Sequence, residues 1–583
     1  MAFQQRLMRI AFASLLLIAP CLLGQSIPPP STKVASSGYV GNEACARCHA
    51  SIAQSYQRTA MAHASGPAEA NLITGDFTHQ KSAVHYRIYN ENGRVWLNFE
   101  RRGAAAAVSG KRQLLFYIGS GRRGRSYLFA TDGFLFESPV NWYADEHVWD
   151  MTPAYQDVKE IPLNLPANPS CLQCHVSGMQ APLKGTENRY SEPIFAYNGV
   201  ACERCHGPGA AHVNGGPIIN PAKLSPARRD SICMECHLEG NAAIERAGRH
   251  AYDFRPGDLL SDYVRHYVFA GTQQKSLGAV TQVEALSQSA CKRKSGEAMS
   301  CTSCHNPHAS PSAEESASYF RGKCLACHGE AFVARHHPES ADCTRCHMPA
   351  LPSADIAHTQ VTDHRIPRRS DAETLQTLDS NARPSSLRLV PFPFSEEADH
   401  DIRDLALAWA FLAQNGKEPA ATEARRLLLL AVSQSPNDAA LLSALGYIEQ
   451  KRGAVDRARE LYQKALSSDP DLIDAAANLG VIEASQGRLR EPIRLWQSAF
   501  ERAPGRSVIG MNIARILCGA GEFDRARSSI LRVLEFNPDM GAAREMLQHL
   551  NRAPPVCDSD PTRGQGRPSI QGRALMGSPF FVF

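Results

Sequence analysis

The pentapeptide Cys-x-x-Cys-His occurs seven times in this chain of 583 residues. The cysteine pairs are Cys45 and Cys48, Cys171 and Cys174, Cys202 and Cys205, Cys233 and Cys236, Cys301 and Cys304, Cys324 and Cys327, and Cys343 and Cys346. The histidines that follow them are His49, His175, His206, His237, His305, His328 and His347. With 18 Cys and 21 His in the chain, chance would give roughly 0.02 such motifs. The spacing has a chemical reason. Two thiols two residues apart reach the two vinyl groups of one porphyrin, and the next residue carries an imidazole beneath the ring, where it binds iron. Each motif is a covalent tether and an axial ligand for one haem c, and the chain is expected to hold seven. Zinc sites need no His after every second Cys, and a single dithiol redox site would not recur seven times. Four cysteines remain: Cys21, Cys291, Cys518 and Cys557.

Wrapping seven porphyrins constrains the fold. Six motifs fall within residues 166–366, a stretch with much Pro and Gly and few long apolar runs. Stacked haems are expected to replace aliphatic packing there, with short helices carrying the motifs and loops between cofactors. Residues 1–24 read as a secretory signal: Arg6 and Arg9, then an apolar run from Ile10 to about Leu23 that is short for a spanning helix. Export would bring the chain to the periplasm or beyond, and no transmembrane span is expected in the mature protein. It also explains abundant cysteine without structural disulfides. The formal charge of +4 is offset by the propionates of seven haems, about −14 in total, so no nucleic-acid binding is expected.

Residues 25–165 hold the first motif and a small β-rich insert. Alternating segments such as AVHYRIYN and RVWLNFE flank Asn92-Gly93, a hairpin signal, and Asp132-Gly133 marks another turn. Gly119 to Gly124 matches G-x-G-x-x-G, but strand and turn follow it, whereas a dinucleotide site needs a helix. A turn-rich hairpin, or a basic loop turned to haem propionates through Arg122, Arg123 and Arg125, is the better reading.

Fourteen histidines lie outside the motifs and could close the sixth iron position. His308 stands three residues after His305, and the tether pins that backbone to one face of its own haem, so His308 would serve a neighbouring one. His212 permits the same reasoning. His336 or His337, between motifs six and seven, and His358 and His364, after the last motif, are further candidates for distal ligands, with His63, His147 and His250 behind them. A lone histidine is by default a surface or hydrogen-bonded residue.

Beyond a linker or strap at 367–400, Pro436, Pro470, Pro504 and Pro538 recur every 34 residues, the tetratricopeptide (TPR) period. Residues 401–552 are therefore expected to form paired helices in a solenoid, departing from the pattern at Pro492 and in a longer first loop around Gly416 to Pro419. Residues 553–583 read as a disordered tail. The fold class expected is mainly α: a multihaem domain with a small β insert, then an α-solenoid.

YVGNEACARCH, NGVACERCHGPGAAHV, CTSCHNPH and TDHRI resemble motifs of bacterial multihaem c-type cytochromes of the tetrahaem type used in ammonia oxidation, here fused to TPR repeats. The resemblance covers roughly residues 39–366 and implies close-packed haems with two His ligands each; His212, His308 and His364 match the family's distal positions. The expected function is exported electron transfer, with the repeats docking redox partner proteins. The alternative is a multihaem oxidoreductase acting on a small nitrogen or sulfur compound at one open haem.

Overall fold

The computed structural model describes residues 38–103, 107–270, 277–336, 342–368, 388–393, 401–416 and 418–557. The signal segment, most of the strap, His337 and the end of the tail lie outside them.

The N-terminal half corrects the expectation of a mainly α chain with a small insert. Nine strands form one antiparallel sheet: β1 Ser65–Pro67, β2 Gly75–His79, β3 Val84–Glu91, β4 Arg94–Arg101, β5 Val108–Ile118, β6 Gly124–Thr131, β7 Phe134–Glu137, β8 Val140–Tyr143 and β9 Val148–Met151. Seven run in the order β2-β3-β4-β5-β6-β8-β9, while β1 pairs with β5 and β7 with β6. The sheet curls until its ends meet, and Trp149 Nε1 on β9 donates to the Thr74 carbonyl beside β2 at 2.9 Å. The near-closure removes an open edge. Alternation along β3 and β4 turns Val84, Tyr86, Ile88, Val95, Leu97 and Phe99 into a core of its own. At the β3–β4 and β6–β7 turns, Asn92-Gly93 and Asp132-Gly133 all have φ near +50° to +77°, the paired left-handed residues of a two-residue hairpin. The Gly119–Gly124 segment is the turn joining β5 to β6, with Gly121 N donating to Gly124 O at 3.1 Å; no helix follows it.

Short helices carry the haem motifs, among them Pro169–Leu172, Glu203–His206, Pro226–His237, Cys301–Cys304 and Thr344–His347. The strap contributes a strand, Leu389–Phe392, paired with Val264–Phe269.

The C-terminal half is a helical solenoid. Its successive helices are Ile402–Gln414, Glu418–Gln434, Ala439–Lys451, Val455–Ser468, Ile473–Ser485, Arg490–Arg502, Ser507–Gly519, Phe523–Phe536 and Gly541–Leu550. Gly453, Gly487 and Gly521 turn one helix into its partner at φ between +77° and +82°. Gly480 lets two helices close: a Cβ there would lie 2.3 Å from Trp496 Nε1. Pro492 falls in the first turn of its helix, where an N–H has no intrahelical acceptor to lose. The first inter-helix loop is short, since the second helix already begins at Glu418. A disulfide joins Cys518 to Cys557, 39 positions apart, two cysteines for which the sequence indicated no partner.

The solenoid is docked on the sheet. Phe536 joins the sheet's core against Phe134 and Phe136. Arg101 on β4 makes a two-pronged ion pair with Asp539, at 2.9 and 2.5 Å. Arg506 pairs with Glu187, and Asn164 donates to Gly505 O at 3.0 Å.

Candidate haem-binding site

The motifs line one continuous cavity of about 3560 Å³. Every motif cysteine except Cys171 borders it, as do all seven motif histidines. It runs from the first motif, past the Gly119–Gly124 turn, to the segment after the last motif. Arg122, Arg123 and Arg125 line its wall on the sheet side. Arg125 is also tied into the turn, donating to the carbonyls of Asn71 and Ser120.

Local sequence explains how the motifs are held together. The residues inside the pentapeptides do this work in the third and fourth motifs. Glu203 is fully buried and accepts N–H bonds from Val40, Gly41 and Gly209, at 2.7 to 2.9 Å in each case, which fastens the first motif's entry to the third. Arg204 pairs with buried Glu235 of the fourth motif and donates to Gln173 O of the second. Burial pushes the Glu235 carboxyl up to about 7 although Arg204 opposes it. The sequence carried these residues only as the variable letters of the motif, so nothing in it marked them.

Four imidazole pairs face each other. His49 and His212 lie 6.2 Å apart between ring centroids, His206 and His308 5.9 Å, His305 and His364 6.2 Å, and His336 and His347 5.9 Å. Two metal–nitrogen bonds of about 2 Å, with about 1.1 Å from each nitrogen to its ring centre, put the centroids of two axial imidazoles about 6.2 Å apart. The pairs thus have the spacing of two ligands on opposite faces of one haem iron, and the residues fit the group. In each pair the two histidines come from different segments of the chain. Burial holds His175, His237, His305, His308 and His364 below the ordinary imidazole value, which favours the neutral ring a metal needs. Backbone carbonyls orient several rings: His206 Nδ1 faces Ile219 O at 2.9 Å and His347 Nδ1 faces Pro367 O at 2.8 Å.

The remaining motif histidines, His175, His237 and His328, face no second imidazole at this spacing among the described residues. His175 Nδ1 contacts Ala64 O at 3.2 Å, His237 Nδ1 contacts Gln282 Oε1 at 3.2 Å, and the ring of Phe332 lies 5.2 Å from that of His328.

Four candidates sit elsewhere. His63 Nε2 is bonded to Gln57 O at 2.7 Å. His147 occupies the β8–β9 turn against Trp142. His250 is held by Glu245 and stacks on Tyr252. His358 is clamped between Glu146 and Asp150. None of the four lines the cavity.

Thiols of different motifs meet: Cys45 with Cys202, Cys174 with Cys236, Cys233 with Cys301, and Cys324 with Cys343. Cys291 borders the cavity near Cys304 and Cys324. Among the described residues, no three His, Cys, Asp or Glu side chains gather closely enough to hold a metal ion by themselves. No described helix is long and apolar enough to cross a membrane.

A family model described as cytochrome c554 and c-prime matches residues 141–207. Multiheme cytochrome MtrA of Shewanella baltica is 28% identical over 187 residues, 28% of this chain and 52% of that protein. C-type polyheme cytochrome OmcC of Geobacter sulfurreducens is 39% identical over 93 residues, 15% of this chain and 12% of that protein. The chain thus spans about half the length of the first relative and far less of the second. Among solved structures, one of MamA is 24% identical with a TM-score of 0.23, covering 26% of this chain and 82% of that one. PilF of Pseudomonas aeruginosa is 22% identical with a TM-score of 0.23, covering 25% and 68%. The repeat character of the C-terminal half rests on its own helix pairs and 34-residue period, while in its Cys-x-x-Cys-His motifs the chain is similar to multihaem c-type cytochromes.

Proposed function

We propose that the protein is an exported electron-transfer cytochrome holding seven haems c. The single observation that carries this reading is the set of four imidazole pairs at 5.9 to 6.2 Å in one cavity. A haem filled on both faces by His has no coordination position free for a substrate. When bound, the iron supplies one-electron exchange between ferric and ferrous states. The chain's own residues set the conditions for that exchange. Cysteines would fix each porphyrin covalently, the four imidazole pairs would hold iron, and Arg122 and Arg123 in the cavity wall would supply positive charge toward propionates.

Side-chain contacts support an order of neighbours. Motif one adjoins three through Cys45 and Cys202, and three adjoins four through Arg204 and Glu235. Four adjoins five through Cys233 and Cys301, five adjoins six through His305 and Phe320 of the helix that carries Cys324, and six adjoins seven through Cys324 and Cys343. Motif two joins from the side through Cys174 and Cys236. The relay would run from motif one to motif seven with motif two as a branch. His308, three residues from His305, ties the third and fifth haems in the same way. The solenoid would present its remaining free face to a redox partner protein.

The oxidoreductase reading keeps one foothold, the second, fourth and sixth motifs without a facing imidazole. Low-temperature EPR of the oxidised holoprotein separates the two. Low-spin signals from all seven haems support the relay, whereas a stoichiometric high-spin haem that shifts on adding a small nitrogen or sulfur compound would overturn it in favour of catalysis.

A further inference from the structure

The segment after the seventh motif is a hairpin whose strands, Ala350–Pro352 and Gln360–Thr362, pair in register. It carries His364, which faces His305. It also reaches Pro367, whose carbonyl orients His347. One short hairpin thus serves the fifth and the seventh haem sites.

The hairpin is tied to the sheet through His358 and Gln360. His358 Nδ1 lies 2.6 Å from Glu146 Oε2, and its Nε2 lies 3.0 Å from Asp150 Oδ2. Both acceptors belong to the β8–β9 hairpin, over 200 residues earlier in the chain. The Tyr143 ring packs on the imidazole at 5.1 Å. Beside it, Gln360 N donates to Asp145 Oδ2 at 2.9 Å, and Asp145 pairs with Arg123. On the hairpin's other side, Asp355 accepts from Ala279 N at 3.0 Å. His358 adopts φ +56°, a left-handed conformation that a non-glycine residue holds only at a cost. Its two carboxylate bonds offset that cost. With both ring nitrogens turned to carboxylate oxygens, both must donate, so the ring is an imidazolium. Partial burial opposes the charge, but the bonds to Asp150 and Glu146 outweigh it and raise the proton affinity above the ordinary value.

We infer that His358 is a positioning residue for the fifth haem, locking the hairpin to the sheet so that the His364 imidazole stays opposite His305. The inference rests on the ligation reading above. Below His364 the hairpin has its own anchor, since buried Asp363 holds Arg365 and donates its N–H to Pro349 O at 3.0 Å. Without the His358 lock, the segment that carries His364 is secured to the sheet through Gln360 and, at its base, to Pro349 through Asp363.

The test compares His358→Ala, His358→Arg and His364→Ala as haem-loaded full-length proteins, by low-temperature EPR and by redox titration. His364→Ala removes the facing imidazole and should convert one haem to high spin. His358→Ala should give the same high-spin signal in part, with a shift in one midpoint potential. His358→Arg, whose guanidinium can donate to both carboxylates, should restore the low-spin spectrum. In the wild type the high-spin fraction should grow as pH rises through the raised His358 value, and in His358→Arg it should not. If His364→Ala gains a high-spin haem while His358→Ala keeps the wild-type spectrum and potentials, the lock is refuted. If neither variant changes, the ligation of the fifth haem by His364 is itself wrong.

Discussion

Replacing Asp539 by Ala should loosen the solenoid from the sheet by about 4 kcal/mol. The Asp539 side chain is 1% exposed and accepts from both guanidinium nitrogens of Arg101, whose side chain is 13% exposed. It also accepts from the N–H of fully buried Ile161 at 2.9 Å. Breaking a buried pair by removing one partner costs about 3–5 kcal/mol. The lower end applies here, because Arg101 keeps contacts to the carbonyls of Ser82 and Lys159 at 3.4 and 3.3 Å. The orphaned Ile161 N–H adds about 1 kcal/mol. Native-state hydrogen exchange on the haem-loaded protein reads the opening of helix Phe523–Phe536, whose Phe536 ring is seated in the sheet's core. Exchange there should accelerate roughly a thousandfold, since every 1.4 kcal/mol is a factor of ten. Glu423→Ala, which removes an exposed pair with Arg426, should change exchange by less than about 1 kcal/mol. Equal small effects from both variants would refute the view that the solenoid is welded to the sheet.

Two further outcomes follow from the same structure. His266 is buried within its strand, and burial lowers its pKa to about 4. The unfolded chain takes up that proton near pH 6.5, so stability present above pH 6.5 is lost as pH falls toward 4, by about 3 kcal/mol. Unfolding measured from pH 7 to pH 4 should show this loss in the wild type and little of it in His266→Phe. Reducing the Cys518–Cys557 disulfide, which closes a 39-residue span, should destabilise the last two repeats by about 4 kcal/mol on the chain-entropy account. Proteolysis near helix Gly541–Leu550 in the presence of reductant checks this, while thioether-bound haem should survive the same treatment.

The attachment motifs were legible because thioether chemistry is local: two cysteines and a histidine in five residues carry all that attachment would need. The facing imidazoles were legible as residue types but not as pairs. His364 and His305, or His212 and His49, meet only after the chain has wrapped, and no spacing encodes that. The same blindness put His358 among the iron ligands, although Glu146 and Asp150 hold it, and gave Cys518 and Cys557 no partner. The sheet was underestimated for a different reason. β3 to β6 alternate clearly, but β1, β2, β8 and β9 are three to five residues long, too short to show a period. Yet they extend and nearly close the sheet, so that an expected insert is a domain with its own core. The repeats were legible from Pro436, Pro470, Pro504 and Pro538, each just past a helix end. Their docking was not, since Arg101 and Asp539 are 438 positions apart.

That docking bears on how the repeats function. Part of the solenoid is committed to Phe134, Phe136, Glu187 and Arg101 of its own chain. Any partner of the solenoid would have to use the surface left over.

The most direct test of the whole account is the intact mass of the mature protein, produced in a host with working cytochrome maturation and analysed under denaturing conditions. Denaturation strips every group held only by coordination and leaves thioether-bound haem in place. The account predicts a polypeptide carrying seven haem masses, falling by one haem when Cys202 and Cys205 are both replaced by Ala. A colourless polypeptide of unmodified mass, or one that releases zinc on denaturation, would contradict it.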